Sequence, residues 1–397
     1  MKSIDQALLK GKKVLVRVDY NVPQNENLEV TNRTRIERTV PTIKKITEDG
    51  GIAILMSHLG RPKGEVKDSM SLRHIIYAVS EVLGKEVHFL GDACDVDIAE
   101  KVAKLKPGDV AMLENLRFHK EEEKGDENFA QTLAQLGDIY VNDAFGTAHR
   151  EHASTATIVK FFPNNAYAGY LLFQEVQSLK TVFGAGHPPF TAIIGGSKIS
   201  TKIKILNNLL DKVDNLIIGG GMAYTFLAAM GVTVGSSPYE EEMIPVAREV
   251  IRQAHRKGID LYLPIDNICG DSFSNDANTM VTQHNNIPDG WEGLDIGPRT
   301  IKKFTKIINA SRTILWNGPV GVFEFDNFGK GTQALAISVA SATLSGAYSL
   351  VGGGDTISAI GKYGFSPFIS YISTGGGAML EYLEGTELPG IKALEEN

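Results

Sequence analysis

The chain has 397 residues, of which 43% are hydrophobic and 22% are charged, and its formal net charge at pH 7 is −7. The length predicts two domains, and the composition is typical of a folded globular protein. The acidic balance argues against nucleic acid as a partner, because binding to a phosphate backbone requires a basic surface.

The first residues carry charges where a secretory signal would be apolar, and no apolar run reaches the roughly 18 residues that a membrane span requires. We therefore expect a cytoplasmic protein without a membrane partner. Cys94 and Cys269 are too few and too far apart in sequence to predict a disulfide framework or a metal site. We interpret both as thiols without a chemical role.

Short apolar runs in the first half of the chain are too short for helices and too continuous for strands with one exposed face. They predict buried parallel strands within 13–18, 51–57, 109–115 and 138–143. Helical periodicity appears between these strands, at 71–83 and 127–136.

The second half repeats this scheme, with strands predicted within 191–196, 215–221, 313–318, 348–354 and 368–377. Alternating strands and helices predict the α/β class, with two doubly wound, Rossmann-like parallel sheets. We expect the two lobes to join near 163–190, where a helical segment is followed by a Gly/Pro break. The predicted parts are an N-terminal lobe at 1–170, an interdomain helix at 171–185 and a C-terminal lobe at 186–378.

Cationic and polar residues follow the first-half strands, where ligands of open α/β sheets bind. A planar guanidinium suits carboxylate or phosphate, so four strand-linked arginines together predict a site for a ligand with several anionic groups: Arg35, Arg61, Arg117 and Arg150. Arg33 and Arg38 are interpreted as partners of surface acids instead. His58, His149 and His152 are as consistent with structural histidines as with ligand binding.

Glycines follow the second-half strands, at Gly195-Gly196 and in the triplets 219–221, 352–354 and 375–377. Glycine allows close backbone approach, and exposed amides at a helix start bind anions. Because Lys198 follows one of these turns and Asp355-Thr356 another, they predict a site for nucleotide phosphates. The P-loop pattern GxxxxGK[ST], the dinucleotide pattern GxGxxG and the HRD catalytic loop are all missing from the sequence.

Ten ordered blocks spanning nearly the whole chain resemble the phosphoglycerate kinase family: RVDYNVP, HLGRPKG, ENLRFH, VNDAFGTAHREHAS, GGSKISTK, GGGMAYTF, GLDIGP, WNGPVGVFE, GGGDT and STGGGA. The resemblance implies reversible transfer of the acyl phosphate of 1,3-bisphosphoglycerate to ADP, giving 3-phosphoglycerate and ATP, with Mg²⁺. It also implies a monomer whose tail, 379–397, returns to the first lobe. Tyr20 stands where the family commonly has Phe, and Met379 where it often has Ser.

The resemblance assigns roles residue by residue. It implies that phosphoglycerate is held by Asp19, Tyr20, Asn21, Arg35, His58, Leu59, Gly60, Arg61, Arg117 and Arg150. It implies that the nucleotide is held by Lys202, Gly293, Glu324, Gly353, Gly354, Asp355 and Thr356, with Asp355 at the metal and Glu324 at the ribose. It places around the transferred phosphoryl group Arg35, Lys198, Lys202, Gly354 and Gly377.

Two other functions would use some of the same residues. An ATP-dependent ligase that activates a carboxylate would share the arginines and the glycine turns, but it would need a site for a second acceptor, which the sequence does not reveal. A two-lobed solute-binding protein would carry a signal peptide and would have no lysine in a glycine turn. Neither expectation is met by the sequence.

Overall fold

The computed structural model describes residues 1–184 and 186–397. Their contacts divide the chain into two compact units. The first unit comprises Met1–Gln177 together with Glu387–Asn397, and the second comprises Ser178–Thr386. Ala185, the last residue of the predicted interdomain helix, lies outside the described residues.

The first unit is built on a six-stranded parallel sheet whose strands are β1 Lys13–Val18, β2 Ile52–Met56, β3 Val87–Gly91, β4 Val110–Leu113, β5 Ile139–Asp143 and β6 Ala166–Ala168. Their order across the sheet is β3-β4-β2-β1-β5-β6. The strands β2, β4 and β5 are buried along their whole length, which explains their continuous apolar sequences. The predicted first-half strands are confirmed.

The helices of this part of the chain are α1 Thr34–Glu37, α2 Val40–Glu48, α3 Ile76–Leu83, α4 Ile98–Ala103, α5 Lys120–Glu123, α6 Glu127–Ala134 and α7 Tyr170–Phe183. Local sequence sets their limits. The side chain of Asp126 accepts a hydrogen bond of 2.9 Å from the amide of Phe129 at the start of α6. Gly84 ends α3 in the left-handed conformation, with φ +64°.

The second unit contains a six-stranded parallel sheet and a three-stranded antiparallel sheet. The strands are β7 Phe190–Ile194, β8 Asn215–Ile218, β9 Asp260–Tyr262, β10 Asn267–Gly270, β11 Thr279–Val281, β12 Glu292–Ile296, β13 Thr313–Asn317, β14 Tyr348–Gly352 and β15 Tyr371–Ile372. The large sheet has the order β15-β14-β13-β7-β8-β9, and the small one β11-β10-β12. The small sheet was not predicted, because its strands are short and partly exposed.

The helices of the remaining chain are α8 Ile203–Leu209, α9 Met222–Ala229, α10 Ile244–Lys257, α11 Pro298–Ala310, α12 Lys330–Leu344, α13 Gly354–Lys362, α14 Gly377–Leu383 and α15 Pro389–Glu395. The core of the second unit gathers around the fully buried Trp316 in β13. The predicted α/β class, with two parallel sheets, is confirmed.

The boundary between the units falls within α7, between Gln177 and Ser178. Near the start of this helix, the amide of Leu172 donates to Oδ1 of Asp143, the last residue of β5, over 3.2 Å. Of the tail expected to return to the first unit, 379–397, the part Glu387–Asn397 belongs to that unit and 379–386 belongs to the second. The amide of Gly390 donates to the carbonyl of Ala148 over 2.9 Å. None of the helices formed by the described residues is both long enough and apolar enough to span a membrane.

Candidate active site

Residues at the carboxyl ends of β1 and β2 bring a carboxylate, two arginines and a histidine together. Oδ2 of Asp19 lies 2.7 Å from a guanidinium nitrogen of Arg35, and Oδ1 lies 4.0 Å from Nε2 of His58. Nη2 of Arg17 lies 3.2 Å from Nδ1, the other ring nitrogen of His58. Arg17 is fully buried and His58 nearly so, whereas Arg35 remains partly exposed. The buried Arg17 therefore contacts His58 from the interior, while a ligand can reach the partly exposed Arg35.

The loop after β2 continues this surface. The amide of Gly60 donates to Oδ1 of Asn21 over 2.8 Å, and the carbonyl of Gly60 accepts from Nη1 of Arg117 over 3.0 Å. Gly60 has φ +65°, a backbone conformation that side chains rarely adopt. Arg61 follows and is exposed to solvent. The strand ends thus bring Asn21, Gly60 and Arg117 together, as the sequence predicts.

The positive charges of this cluster act on one another. Burial, followed by the charge of Arg17, lowers the pKa of Arg117 to about 10, so its guanidinium stays protonated at pH 7. Burial, followed by the charges of Arg17, Arg117 and Arg150, lowers the pKa of His152 to about 3. Burial and Arg17 also hold the pKa of His58 well below its usual range. The two histidines are therefore neutral, and the arginines make the surface attractive to an anion.

A buried network that was not predicted lies beneath the cluster. Nε of Arg17 donates to Oγ of Ser154 over 2.7 Å, and this hydroxyl donates to Oε1 of Glu122 over 2.6 Å. The amide of Ser154 also donates to Oε2 of Glu122, over 3.0 Å. An arginine within the apolar run KVLVRV was a signal for a buried charge. Glu122 gave none, because it lies in a run of charged residues that is typical of an exposed helix.

Two further predicted phosphoglycerate ligands are buried, as His58 and Arg117 are. Tyr20 is fully buried, and its hydroxyl lies 2.7 Å from Oγ1 of Thr39. Leu59 is also buried, and its carbonyl accepts from Nδ2 of Asn115 over 2.8 Å. These residues therefore position the strand ends rather than present side chains to solvent. Arg33, which we interpreted as the partner of a surface acid, is confirmed in that role because it lies 2.6 Å from Glu81.

In the second unit, the carboxyl ends of the adjacent strands β7, β13 and β14 border a cavity of about 270 Å³. The cavity is lined by Gly195, Gly196, Ser197, Thr201, Lys202, Asn317, Gly318, Pro319, Gly353, Gly354, Asp355, Thr356 and Leu380. Five of the seven predicted nucleotide ligands are in this set. The sequence did not single out Asn317, although it lies in the WNGP block.

Asn317 connects the parts of this cavity. Nζ of Lys202 donates to Oδ1 of Asn317, and Nδ2 of Asn317 donates to the carbonyl of Gly352 over 3.0 Å. Burial lowers the pKa of Lys202, and the negative charge of Asp355 opposes that effect. The hydroxyl of Thr356 is buried and accepts from the amide of Gly318 over 2.7 Å. A partly buried lysine and an exposed carboxylate therefore lie at the same cavity.

Backbone packing explains some of the glycines around this cavity but not Gly354. A Cβ atom at Gly195 would lie 2.1 Å from the carbonyl oxygen of Pro319, and one at Gly318 would lie 2.2 Å from that of Gly195. One at Gly220 would lie 2.7 Å from the carbonyl oxygen of Gly196. These three glycines are required by backbone packing. Gly354 is different, because its φ is not left-handed and a Cβ atom there would meet nothing within 4 Å.

The open position at Gly354 is the first residue of α13, where free amides point out of a helix. Neither conformation nor packing requires glycine there. A group that approaches the backbone closely would require it, and a phosphate is the group that a helix start attracts. We therefore expect the phosphate that the sequence predicts to lie at Gly353-Gly354, in the cavity that Lys202 and Asp355 also line.

Four predicted residues of the second unit lie outside the set of described residues that lines the cavity. Lys198, Glu324 and Gly377 are exposed, the first in the turn after β7 and the last at the start of α14. Gly293 is buried in β12, and a Cβ atom there would lie 2.0 Å from the hydroxyl of Tyr224. Packing against Tyr224 is a sufficient reason for that glycine.

The donor set at the cavity fits Mg²⁺. Magnesium binds through one or two carboxylates, keeps several waters and takes its other oxygens from substrate phosphates. Asp355 supplies one exposed carboxylate beside the open amide of Gly354, where a phosphate would lie. One carboxylate next to a phosphate site is the arrangement that a metal–nucleotide complex requires.

These features define an α/β protein of two units, with a cluster of arginines after the strands of one unit and a glycine-lined cavity that holds a lysine and a carboxylate on the other. The comparisons with known proteins are more specific. The family model described as "Phosphoglycerate kinase" matches residues 4–386. The chain belongs to the phosphoglycerate kinase family, and it is therefore a phosphotransferase.

Individual relatives agree with this assignment. The chain is 49% identical over 417 residues to "Phosphoglycerate kinase" of Porphyromonas gingivalis, covering 99% of this chain and 100% of that protein. It is 48% identical over 394 residues to "Phosphoglycerate kinase, cytosolic" of Nicotiana tabacum, covering 99% and 98%. The solved structure of phosphoglycerate kinase from Coxiella burnetii superposes with a TM-score of 0.92 at 41% identity, covering 99% of this chain and 98% of that one.

Proposed function

We propose that this protein catalyses the reversible transfer of the acyl phosphate of 1,3-bisphosphoglycerate to ADP, giving 3-phosphoglycerate and ATP. The observation that carries this proposal is the separation of the two candidate sites onto different units. A cationic cluster follows the strands of the first unit, and a phosphate-type cavity follows those of the second. A kinase of a small anionic substrate needs both sites.

The first unit is proposed to bind the phosphoglycerate. The ligand carries a carboxylate and a phosphate, and Arg35, Arg61, Arg117 and Arg150 offer guanidinium groups suited to both. His58 is neutral and would donate a hydrogen bond rather than a charge. Asp19, Asn21 and Gly60 orient these groups, since Asp19 contacts Arg35 and Asn21 accepts from the Gly60 amide.

The second unit is proposed to bind the nucleotide as its magnesium complex. Lys202, Gly353, Gly354 and Thr356 surround the phosphate position, and Asp355 would hold the metal. When bound, Mg²⁺ would neutralise phosphate charge and fix the orientation of the phosphates. The assignments of Glu324 to the ribose and of Gly293 to the nucleotide come from the family resemblance alone.

The transfer itself requires charge stabilisation rather than a proton acceptor. Charge in phosphoryl transfer is spread over three equatorial oxygens while the entering and leaving oxygens lie roughly in line. Arg35, Lys198, Lys202 and the amides of Gly354 and Gly377 are proposed to stabilise this charge. When ATP is consumed, the acceptor is a carboxylate that is already ionised at pH 7. No general base is then required.

Transfer also requires the two ligands to meet away from water, because an acyl phosphate is readily hydrolysed. We propose that closure at α7 completes the site only when both ligands are bound. Small-angle scattering tests this step. We expect a smaller radius of gyration with 3-phosphoglycerate and MgADP together than with neither. Equal values would remove closure from the proposal.

The experiment that tests the function is a coupled assay of ATP formation from 1,3-bisphosphoglycerate and ADP, with Mg²⁺ and with a chelator. We expect turnover that depends on Mg²⁺ and on both substrates. A protein that hydrolyses the acyl phosphate without forming ATP would contradict the proposal. We further propose a cytoplasmic monomer that acts on small molecules, without nucleic-acid or membrane partners.

A further inference from the structure

Three side chains with different metal-binding chemistry converge at the edge of the first unit. Asp92, Cys94 and His119 each offer one ligand atom, and the three atoms lie within 4.8 Å of one another. Asp92 and Cys94 belong to the loop after β3, and His119 follows the turn after β4. The sequence did not reveal this cluster, because β3 and β4 are neighbours in the sheet but 25 residues separate Cys94 from His119.

Other contacts hold the ligand atoms in position. Nε2 of His119 lies 2.9 Å from Oδ1 and 2.8 Å from Oδ2 of Asp92. The amide of Cys94 donates to Oδ1 of Asp92 over 2.8 Å, which fixes the carboxylate relative to the thiol. The ring of His119 packs against that of Phe129 with 4.9 Å between centroids. The Cys94 amide and the Phe129 ring are contacts of the kind that orient the ligands of metal sites in proteins, whereas the contact between His119 and Asp92 joins two of the proposed ligands.

We propose that Asp92, Cys94 and His119 bind a thiophilic divalent cation, with Zn²⁺ as the best fit. One sulfur, one nitrogen and one oxygen make a set that Zn²⁺ accepts and that Mg²⁺ and Ca²⁺ do not favour. Cys94 is exposed, so the fourth tetrahedral position is open to water. The site is separate from the one proposed at Asp355, which belongs to the second unit.

The three ligand atoms must move relative to one another to hold the ion. The thiol, which lies within 4.8 Å of the other two ligand atoms, must come to roughly 3.6 Å from each of them. Zinc lies about 2.0–2.2 Å from nitrogen and oxygen ligands, so two tetrahedral ligands lie roughly 3.3 Å apart. The gap between His119 and Asp92 must therefore widen by about 0.5 Å as the ion replaces the hydrogen bond between them. An ion pair between His119 and Asp92 accounts for two of the three groups. Asp92 also accepts a hydrogen bond from the Cys94 thiol. The ion would replace both of these contacts at the point where the three groups meet.

Cobalt is the probe for this site, because Co²⁺ takes the same ligands and a cobalt–thiolate bond adds a charge-transfer band in the near ultraviolet. Untagged protein in a non-thiol reductant is titrated with Co²⁺ alone, and Zn²⁺ is then added. We expect one equivalent of Co²⁺ to give the band and one equivalent of Zn²⁺ to remove it. Cys94→Ala removes the band, and both Cys94→Ala and His119→Gln weaken Zn²⁺ binding by more than about tenfold.

Two variants control for nonspecific effects. Cys269→Ala removes the buried thiol of the second unit, and His74→Gln removes a histidine that lies 3.4 Å from the Asp68 carboxylate. Both should keep the band and the affinity. The proposal is overturned if unaltered protein gives no thiolate band, or if Cys94→Ala binds Zn²⁺ as tightly as unaltered protein. Because Cys94 is exposed and keeps its backbone amide, this variant should fold, which circular dichroism checks.

Discussion

Nη2 of Arg17 lies 3.2 Å from Nδ1 of His58 in the interior of the first unit. A guanidinium can only donate hydrogen bonds, so Nδ1 is the acceptor and the ring carries its proton on Nε2. Nε2 is the nitrogen that faces Asp19, at 4.0 Å, and the partly exposed surface around Arg35. The buried arginine thus fixes the tautomer of the histidine at the candidate substrate site, and burial together with Arg17 keeps the ring neutral by lowering its pKa.

We expect His58 to stay neutral across the physiological range. Its pKa is held well below the usual value by burial and by Arg17, so the Nε2–H tautomer should persist from pH 8 down to pH 6. Long-range proton–nitrogen correlation spectra of histidine-labelled protein measure this directly, and His58→Asn identifies the signal. A ring that titrates near pH 6.5 would contradict the role given to Arg17.

His152 should make the first unit sensitive to acid. Its folded pKa of about 3 lies below the unfolded value of about 6.5, so the unfolded chain takes up the proton first and stability is lost as pH falls below 6.5. Between pH 7 and pH 5 protonation of His152 in the unfolded chain should lower the free energy of unfolding by about 2 kcal/mol. His152→Gln should abolish this part of the loss. Urea unfolding at the two pH values measures it. Lys160→Gln, an exposed charge in the same segment, is the control, and equal losses for both variants would refute the prediction.

Much of the fold could be predicted because each strand is short, buried and followed by its own turn. The lengths of β1, β2, β7 and β13 are close to the runs chosen from sequence. The three-stranded sheet could not be predicted, because β11 is exposed or half-buried and shows no continuous apolar run.

Some residues of the candidate sites could be predicted from the sequence, and others could not. Chemically distinctive residues, such as Arg35 in α1 and Asp355 after β14, could be chosen from sequence. Glu122 could not, since its partner Ser154 is 32 residues away and only the folded chain buries the pair. The glycine turns all look alike in sequence. Only the neighbours of each glycine separate the packing role of Gly195 from the open position of Gly354.

Alanine substitutions should separate these two kinds of glycine. Gly354→Ala meets no atom within 4 Å and should keep or raise stability by up to about 1 kcal/mol, while it weakens nucleotide binding because a methyl group blocks the amide. Gly361→Ala, in the same helix and equally open, should gain stability without affecting the nucleotide. Gly195→Ala should destabilise the fold by at least about 2 kcal/mol, because its Cβ atom would clash with a carbonyl oxygen.

Thermal unfolding and calorimetric titration with MgADP measure both quantities for the three variants. The assignment of a phosphate to the start of α13 fails if Gly354→Ala binds MgADP as tightly as Gly361→Ala does. The packing assignment fails if Gly195→Ala unfolds at the temperature of the unaltered chain.

Lys198 should act on turnover rather than on binding. It is exposed in the turn after β7 and lies outside the described cavity lining, and the family resemblance assigns it to the phosphoryl group in transfer. A contact made only in the transition state affects kcat rather than binding. We expect Lys198→Ala to lower kcat by at least about a hundredfold, with little change in phosphoglycerate affinity. Lys204→Ala is the control, since Lys204 lies in the same segment and pairs with Glu384 at 3.7 Å. Unchanged turnover would remove Lys198 from the mechanism.

The proposed division of the ligands puts the acid on the first unit and the nucleotide on the second. Calorimetric titration of both ligands into Arg117→Met and Gly354→Ala tests it most directly, with Arg33→Met as the control for a lost surface charge. We predict that Arg117→Met weakens 3-phosphoglycerate binding by about tenfold or more and leaves MgADP unchanged, and that Gly354→Ala does the reverse. Loss of MgADP binding in Arg117→Met, with 3-phosphoglycerate binding intact, would contradict the account.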